Sequence, residues 1–185
     1  MELKKVLWGV RFLSYKWILG KTGKIGYLGK PLILKNPKNI YLGNKVRIYP
    51  GIRMECHDGG KIIIEDNVAI GQNVHITCGK EDLIIKSGTT ITGNVFITNM
   101  NHDYEDIDKP ILDQGYTVKT TIIGNDCFIG FSAGIMPGTQ LGRHCIVGAH
   151  SLTSKKYDDY SVIVGSPAKV IKKYNIESKK WVKYE

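Results

Sequence analysis

The residues best equipped for proton chemistry fall in one polar stretch, Asn99 to Thr120, which reads NMNHDYEDIDKPILDQGYTVKT. His102 is its only histidine. An imidazole, with an ordinary pKa of about 6.5, can take up a proton at neutral pH and give it back. The plain alternative is a surface histidine that closes a loop. Metal chemistry would need several imidazoles converging on one ion. The full set is His57, His75, His102, His144 and His150. His75 and His102 are able to approach one face, but no third His pairs closely with His102 within its own stretch. No metal site is expected. Cys127 and Cys145 are read as buried small fillers, and Cys56 and Cys78 lack a C-x-x-C spacing.

His102 interrupts a pattern that must position it. An aliphatic residue returns every sixth place at Ile123, Ile129, Ile135, Leu141 and Val147. Gly follows four of them, at Gly124, Gly130, Gly142 and Gly148, and a small residue stands four places after each: Cys127, Ala133, Thr139, Cys145 and Ser151. Six fits neither a helix nor an alternating strand. It fits a backbone that turns a corner every six residues, three corners making a triangular coil. The Gly is expected near the turn, relieving backbone strain. The same period runs earlier through Leu42, Ile48 and Met54, then Ile64, Ile70 and Ile76, then Ile85, Ile91 and Ile97. The expectation is an all-β, left-handed parallel β-helix of hexapeptide repeats over 40–165, with 99–120 projecting as an arm and short terminal helices. Residues 1–39 would be a helix and lead-in strands, and 166–185 a cap or tail.

Leu3, Val6, Leu7, Val10, Leu13 and Trp17 recur at helical spacing, with Trp8 and Phe12 adding aromatic area. Two readings follow: a helix capping the end of the rod, or peripheral membrane contact through residues 1–19, since basic residues with Trp suit an anionic surface. Residues 168–185 are Lys-rich, and part of them is expected to form a short helix. The formal charge is +9, carried mostly by the flanks, and no compact nucleic-acid motif accompanies it. Neither a signal peptide nor an apolar run long enough to span a bilayer is read, so a cytoplasmic protein is expected, at most peripheral at the inner face of the membrane.

The repeat, the His-bearing insertion and the closing VGSPAKVIKKY resemble the hexapeptide-repeat acetyltransferases, over roughly Ile40 to Tyr174. The nearer resemblance is to the maltose, galactoside and serine O-acetyltransferase relatives of polysaccharide and capsule synthesis. It implies a homotrimer with active sites between subunits, acetyl-coenzyme A as co-substrate and a carbohydrate hydroxyl as acceptor, with no nucleic-acid partner. His102 matches the family's catalytic base, which would deprotonate the acceptor as it attacks the thioester.

Asp103 would hold the imidazole tautomer, contact the acceptor or face solvent. Asn99 and Asn101 would bind the acceptor or shape the loop, and Asn94 would do the first or satisfy a corner. Tyr104 and Tyr116 would stack on a sugar ring or pack the arm, and Gln114 resembles an acceptor-side Gln. For the coenzyme, Gly130, Ser132, Gly148 and Ala149 match the pantetheine channel. Gly165, Ser166, Pro167, Ala168 and Lys169 match the adenine and phosphate end, with Lys155 and Lys172 available for phosphate. Three other readings stand beside this one: N-acetylation of an amino sugar or nucleotide sugar, a non-catalytic assembly module, and a zinc-dependent hydratase.

Overall fold

A computed structural model describes residues 3–184; Met1, Glu2 and Glu185 lie outside the described residues. The chain winds into a left-handed parallel β-helix with three flat faces. One face stacks the strands Ile40–Leu42, Ile62–Ile64, Leu83–Ile85, Thr121–Ile123, Gln140–Leu141 and Lys156–Tyr157. A second stacks Ile33–Lys35, Arg53–Cys56, His75–Cys78, Phe96–Thr98, Gly134–Ile135 and Leu152–Thr153. The third begins at Gly26–Leu28 and ends in antiparallel strands at the C-terminus.

The six-residue period is the reason for this shape. Ile123, Ile129, Ile135, Leu141 and Val147 are all buried, as are the small residues four places on. The earlier aliphatic series is buried in the same way. Each aliphatic stacks on its counterpart one coil away, as in Ile76↔Ile97 and Ile97↔Ile135. Full burial of such a side chain contributes about 1.5–3 kcal/mol, so the inward columns carry most of the stability.

The glycines work differently from the expectation. Gly124, Gly130, Gly142 and Gly148 do not have positive φ. The left-handed residue of each corner lies three places after the aliphatic instead, at Asn67, Asn73, Asn94, Asp126, Ser132, His144 and His150. Asn and Asp tolerate that conformation better than most residues. The glycines are needed because coils stack closely: a Cβ on Gly130 would lie 2.5 Å from the Ala149 amide nitrogen.

Of the terminal segments, the first forms the expected helix and the last does not. The helix Leu3–Ser14 continues into a 3-10 turn, Tyr15–Trp17, and lies against the strand Gly26–Leu28 at the end of the rod. Its anchors are Phe12, fully buried, and Trp8, which packs on Tyr27 and Tyr49. The periodic set Val6, Leu7, Val10, Leu13 and Trp17 faces outward. At the other end no helix forms among the described residues. Ala168–Asn175 and Lys180–Lys183 are strands that fold back antiparallel on Ser161–Gly165. Alternate side chains of this ribbon pack on the rod's end through Ala168 and Val170.

Candidate active site

The polar stretch leaves the rod at the corner after Phe96–Thr98 and returns at Thr121–Ile123. Between them Met100–His102 pairs antiparallel with Tyr116–Val118, register His102↔Tyr116, so the arm is a β-ribbon with an outer loop. Asn99 roots it. Its buried amide accepts from the Gly79 N–H at 2.7 Å and donates to the Glu81 carbonyl at 2.8 Å. Gln114 closes the outer loop: its side-chain oxygen accepts from the Asp106 N–H, and its amide donates to the carbonyls of Asp106 and Lys109.

The ribbon overhangs the second face and encloses an open groove of ≈ 460 Å³. On the arm side lie His102, Met100 and Tyr116; on the rod side, Arg53, Glu55, His57, His75 and Thr77. The rings of His102 and Tyr116 sit edge to face at 5.7 Å. Tyr116 also meets His57 at 6.3 Å, and burial with a hydrogen bond to Asp58 raises its phenol. Arg53 donates to Glu55, and this bond holds the carboxyl below its ordinary value against the pull of burial. His57 and His75 lie 3.6 and 3.7 Å from the two Glu55 oxygens. His75 Nε2 is 2.8 Å from the Thr77 hydroxyl, and burial first, then Arg53, pushes the imidazole below its ordinary pKa while Glu55 opposes. The groove therefore offers an exposed imidazole facing a hydrogen-bonded wall of mixed charge. That is an arrangement able to hold a polar molecule beside a proton acceptor.

The sequence-derived candidates separate into groups. His102 and His75 do line one groove. Asp103 does not reach the His102 ring's support position; its carboxylate accepts from the Thr117 hydroxyl at 2.7 Å across the ribbon. Asn99 spends its amide on backbone groups of Gly79 and Glu81 and Gln114 on those of the outer loop, while Asn101 and Tyr104 are exposed on the arm. Asn94 occupies a left-handed corner.

Gly130, Ser132, Gly148 and Ala149 lie on the coils beyond the arm, where the chain is small and close-packed. Gly165 and Ala168 pair across a tight turn holding Ser166 and Pro167. Lys155 and Lys169 border a second groove of ≈ 390 Å³, with Lys156, Asp158, Lys173 and Tyr184; Lys172 is exposed on the same ribbon. That groove and the His102 groove share no residue within the chain.

Arg53, Glu55 and Thr77 were not among the candidates. Their signal is a spacing of one coil: Arg53↔His75 and Glu55↔Thr77 are register partners on adjacent strands. The groups that could ligate a metal form no cluster among the described residues.

Comparison with known proteins gives three kinds of match. The family model described as bacterial transferase hexapeptide (six repeats) matches residues 120–155. The putative lipopolysaccharide biosynthesis O-acetyl transferase WbbJ of Escherichia coli K12 is 32% identical over 160 residues, 83% of this chain and 81% of that protein. Among solved structures, a variant of AntD, an N-acyltransferase from Bacillus cereus in complex with dTDP and coenzyme A, superposes with a TM-score of 0.75. It is 22% identical and covers 90% of this chain and 91% of its own. Galactoside acetyltransferase in complex with coenzyme A gives a TM-score of 0.59 at 21% identity, covering 100% of this chain and 81% of its own.

Proposed function

From the premise that this chain belongs to the hexapeptide-repeat acyltransferases, we propose that it moves an acyl group from acetyl-coenzyme A directly to a nucleophile on a sugar, with His102 as general base. The observation that carries this is the placement of His102: an exposed imidazole on a rooted arm, aimed over a groove whose far wall is Arg53, Glu55, His75 and Thr77. The acceptor lies in that groove. Its nucleophile gives its proton to the His102 imidazole as the bond to the thioester carbonyl forms. The coenzyme thiolate leaves and takes up a proton. Tyr116 packs on the imidazole edge and fixes its orientation.

The His102 groove and the Lys155–Lys169 groove do not meet within one chain. A homotrimer, with the arm of one subunit reaching the coenzyme lying on the next, supplies the missing half. In that assembly Gly130, Ser132, Gly148 and Ala149 line the pantetheine path, and Gly165 to Lys169 with Lys155 and Lys172 hold the adenine and phosphates.

For the acceptor atom, the amino group of a nucleotide-linked sugar has the broader support. The AntD structures, similar over 90% of this chain, are of an N-acyltransferase with dTDP bound. Lys35 and Arg53 in the groove suit a diphosphate, and the Glu55 carboxylate suits an incoming ammonium. A sugar hydroxyl is the second reading, favoured by the O-acetyl transferase relative. The test is acetyl-coenzyme A consumption, read as free thiol, with amino-sugar nucleotides and with their hydroxyl counterparts. Product stability to hydroxylamine separates amide from ester. Absence of turnover with every acceptor, or turnover unchanged in His102→Ala, would overturn the proposal.

A further inference from the structure

The outward stripe of the N-terminal helix has no partner in the fold. Trp17 is 76% exposed, Val10 62%, Leu7 59% and Leu13 51%. These residues share one side of the helix, opposite the Phe12 and Trp8 anchors. A soluble helix normally places polar residues there. The sequence around it is strongly cationic. From Met1 to Met54 the chain has nine Lys and three Arg against one carboxylate, Glu2. Residues 55–185 carry 14 Lys and Arg against 16 Asp and Glu. The whole positive excess of the protein therefore sits at the end of the rod that bears the exposed stripe. Lys4 and Arg11 flank the stripe on one side and Lys16 on the other, with the Lys16 ammonium 4.8 Å from the Trp17 ring centre.

We infer that this end of the rod docks on an anionic lipid surface, with Leu7, Val10, Leu13 and Trp17 entering the headgroup boundary and the surrounding Lys and Arg pairing with lipid phosphates. The charge selects the occupant. An apolar stripe alone would equally fit a second copy of the chain, but two such ends would bring together two segments that each carry twelve cations against one carboxylate in sequence. A bilayer containing anionic lipid satisfies both the apolar and the cationic requirement. Docking at this end also brings the Lys35 side of the His102 groove, on the first strand of its face, toward the membrane.

The test is sedimentation of the full chain with vesicles of phosphatidylcholine, with and without phosphatidylglycerol. Binding is expected only to the anionic vesicles and is expected to weaken with salt. The double variant Val10→Glu, Leu13→Glu is expected to lower partitioning by about tenfold or more. These side chains are exposed, so its circular dichroism and melting temperature should match the parent. The double variant Lys4→Glu, Lys16→Glu, which keeps the stripe, is expected to lose binding mainly at low salt. Failure to bind anionic vesicles overturns the proposal. So does a drop in oligomer mass in the Val10→Glu, Leu13→Glu variant, which would make the stripe a subunit contact. None of these readouts involves acyl transfer, so the result stands apart from the fate of the catalytic assignment.

Discussion

The coils before the arm and those after it share an interior but not an exterior. Inside, Ile76, Ile97 and Ile135 form one continuous column across the arm's insertion point. Outside, on the same face, the early coils present Arg53, Glu55, His75 and Thr77, whereas the later ones present Gly134 and Leu152. A Cβ on Gly134 would run into the Leu152 side chain, so that surface is filled by one residue lying over the next. Inward positions repeat because packing permits little else. Outward positions are free of that constraint, and polar and charged side chains gather there and on the arm.

Substitutions on either side of this division should have separable effects. The largest is expected from His102→Ala. Removing a general base lowers the rate by about 10²- to 10⁴-fold, while the melting temperature should stay at the parent value, because the side chain is exposed. Steady-state turnover and thermal unfolding of the same preparation check both halves. Ile129→Ala is the converse. It opens a cavity in the inward column and should cost about 2–5 kcal/mol in denaturant unfolding, with turnover per folded molecule retained.

Asn99→Ala tests the boundary between the two regions. It strips the Gly79 N–H and the Glu81 carbonyl of their partners and should cost about 1–3 kcal/mol. Limited proteolysis should then cut the arm before the rod. If instead the whole rod is lost at once, arm and rod are a single cooperative unit.

The smallest effect sharpens the electrostatics of the outer face. Glu55 and His75 both have pKa values depressed by folding, from 4.5 and 6.5. Each therefore contributes stability that is present above its ordinary value and lost as pH falls through the folded one. Acid should weaken the protein first below about pH 6.5 through His75, then below 4.5 through Glu55. Glu55→Gln should flatten the second part of the profile, measured as denaturation midpoints across pH. An unchanged acid limb would show that Glu55 is no better stabilised in the fold than in the open chain.

The rod was legible in the sequence because one physical demand, an apolar residue facing inward at every side of the triangle, recurs on each coil. The corners were misplaced by two residues because Gly signals two things: a left-handed backbone and a close approach. Gly130 is here for the second reason, while Ser132 takes the left-handed turn. The arm's histidine stood out as a break in the period. Its neighbours did not, since Asp103 bonds Thr117, fourteen residues away, and the far wall of the groove arises only when Arg53 and His75 are stacked. The N-terminal helix was legible as a helix, but which of its apolar residues hold it to the rod was not. Its longest apolar series faces solvent, and two aromatic residues hold it down instead.

The antiparallel return at the C-terminus has a consequence for assembly. A parallel ladder of coils is a template that could in principle keep adding strands, one chain's last coil seeding the next chain's first. Here Ala168–Asn175 reverses direction across the final long strand, and the last strands of the other two faces, Lys156–Tyr157 and Leu152–Thr153, are only two residues long. A reversed, short edge is a poor seed. A chain truncated after Gly165 would present a bare strand edge at that end, and pairing of two such ends would be its expected fate; the helix Leu3–Ser14 covers the opposite end and stops the pair from growing into a filament.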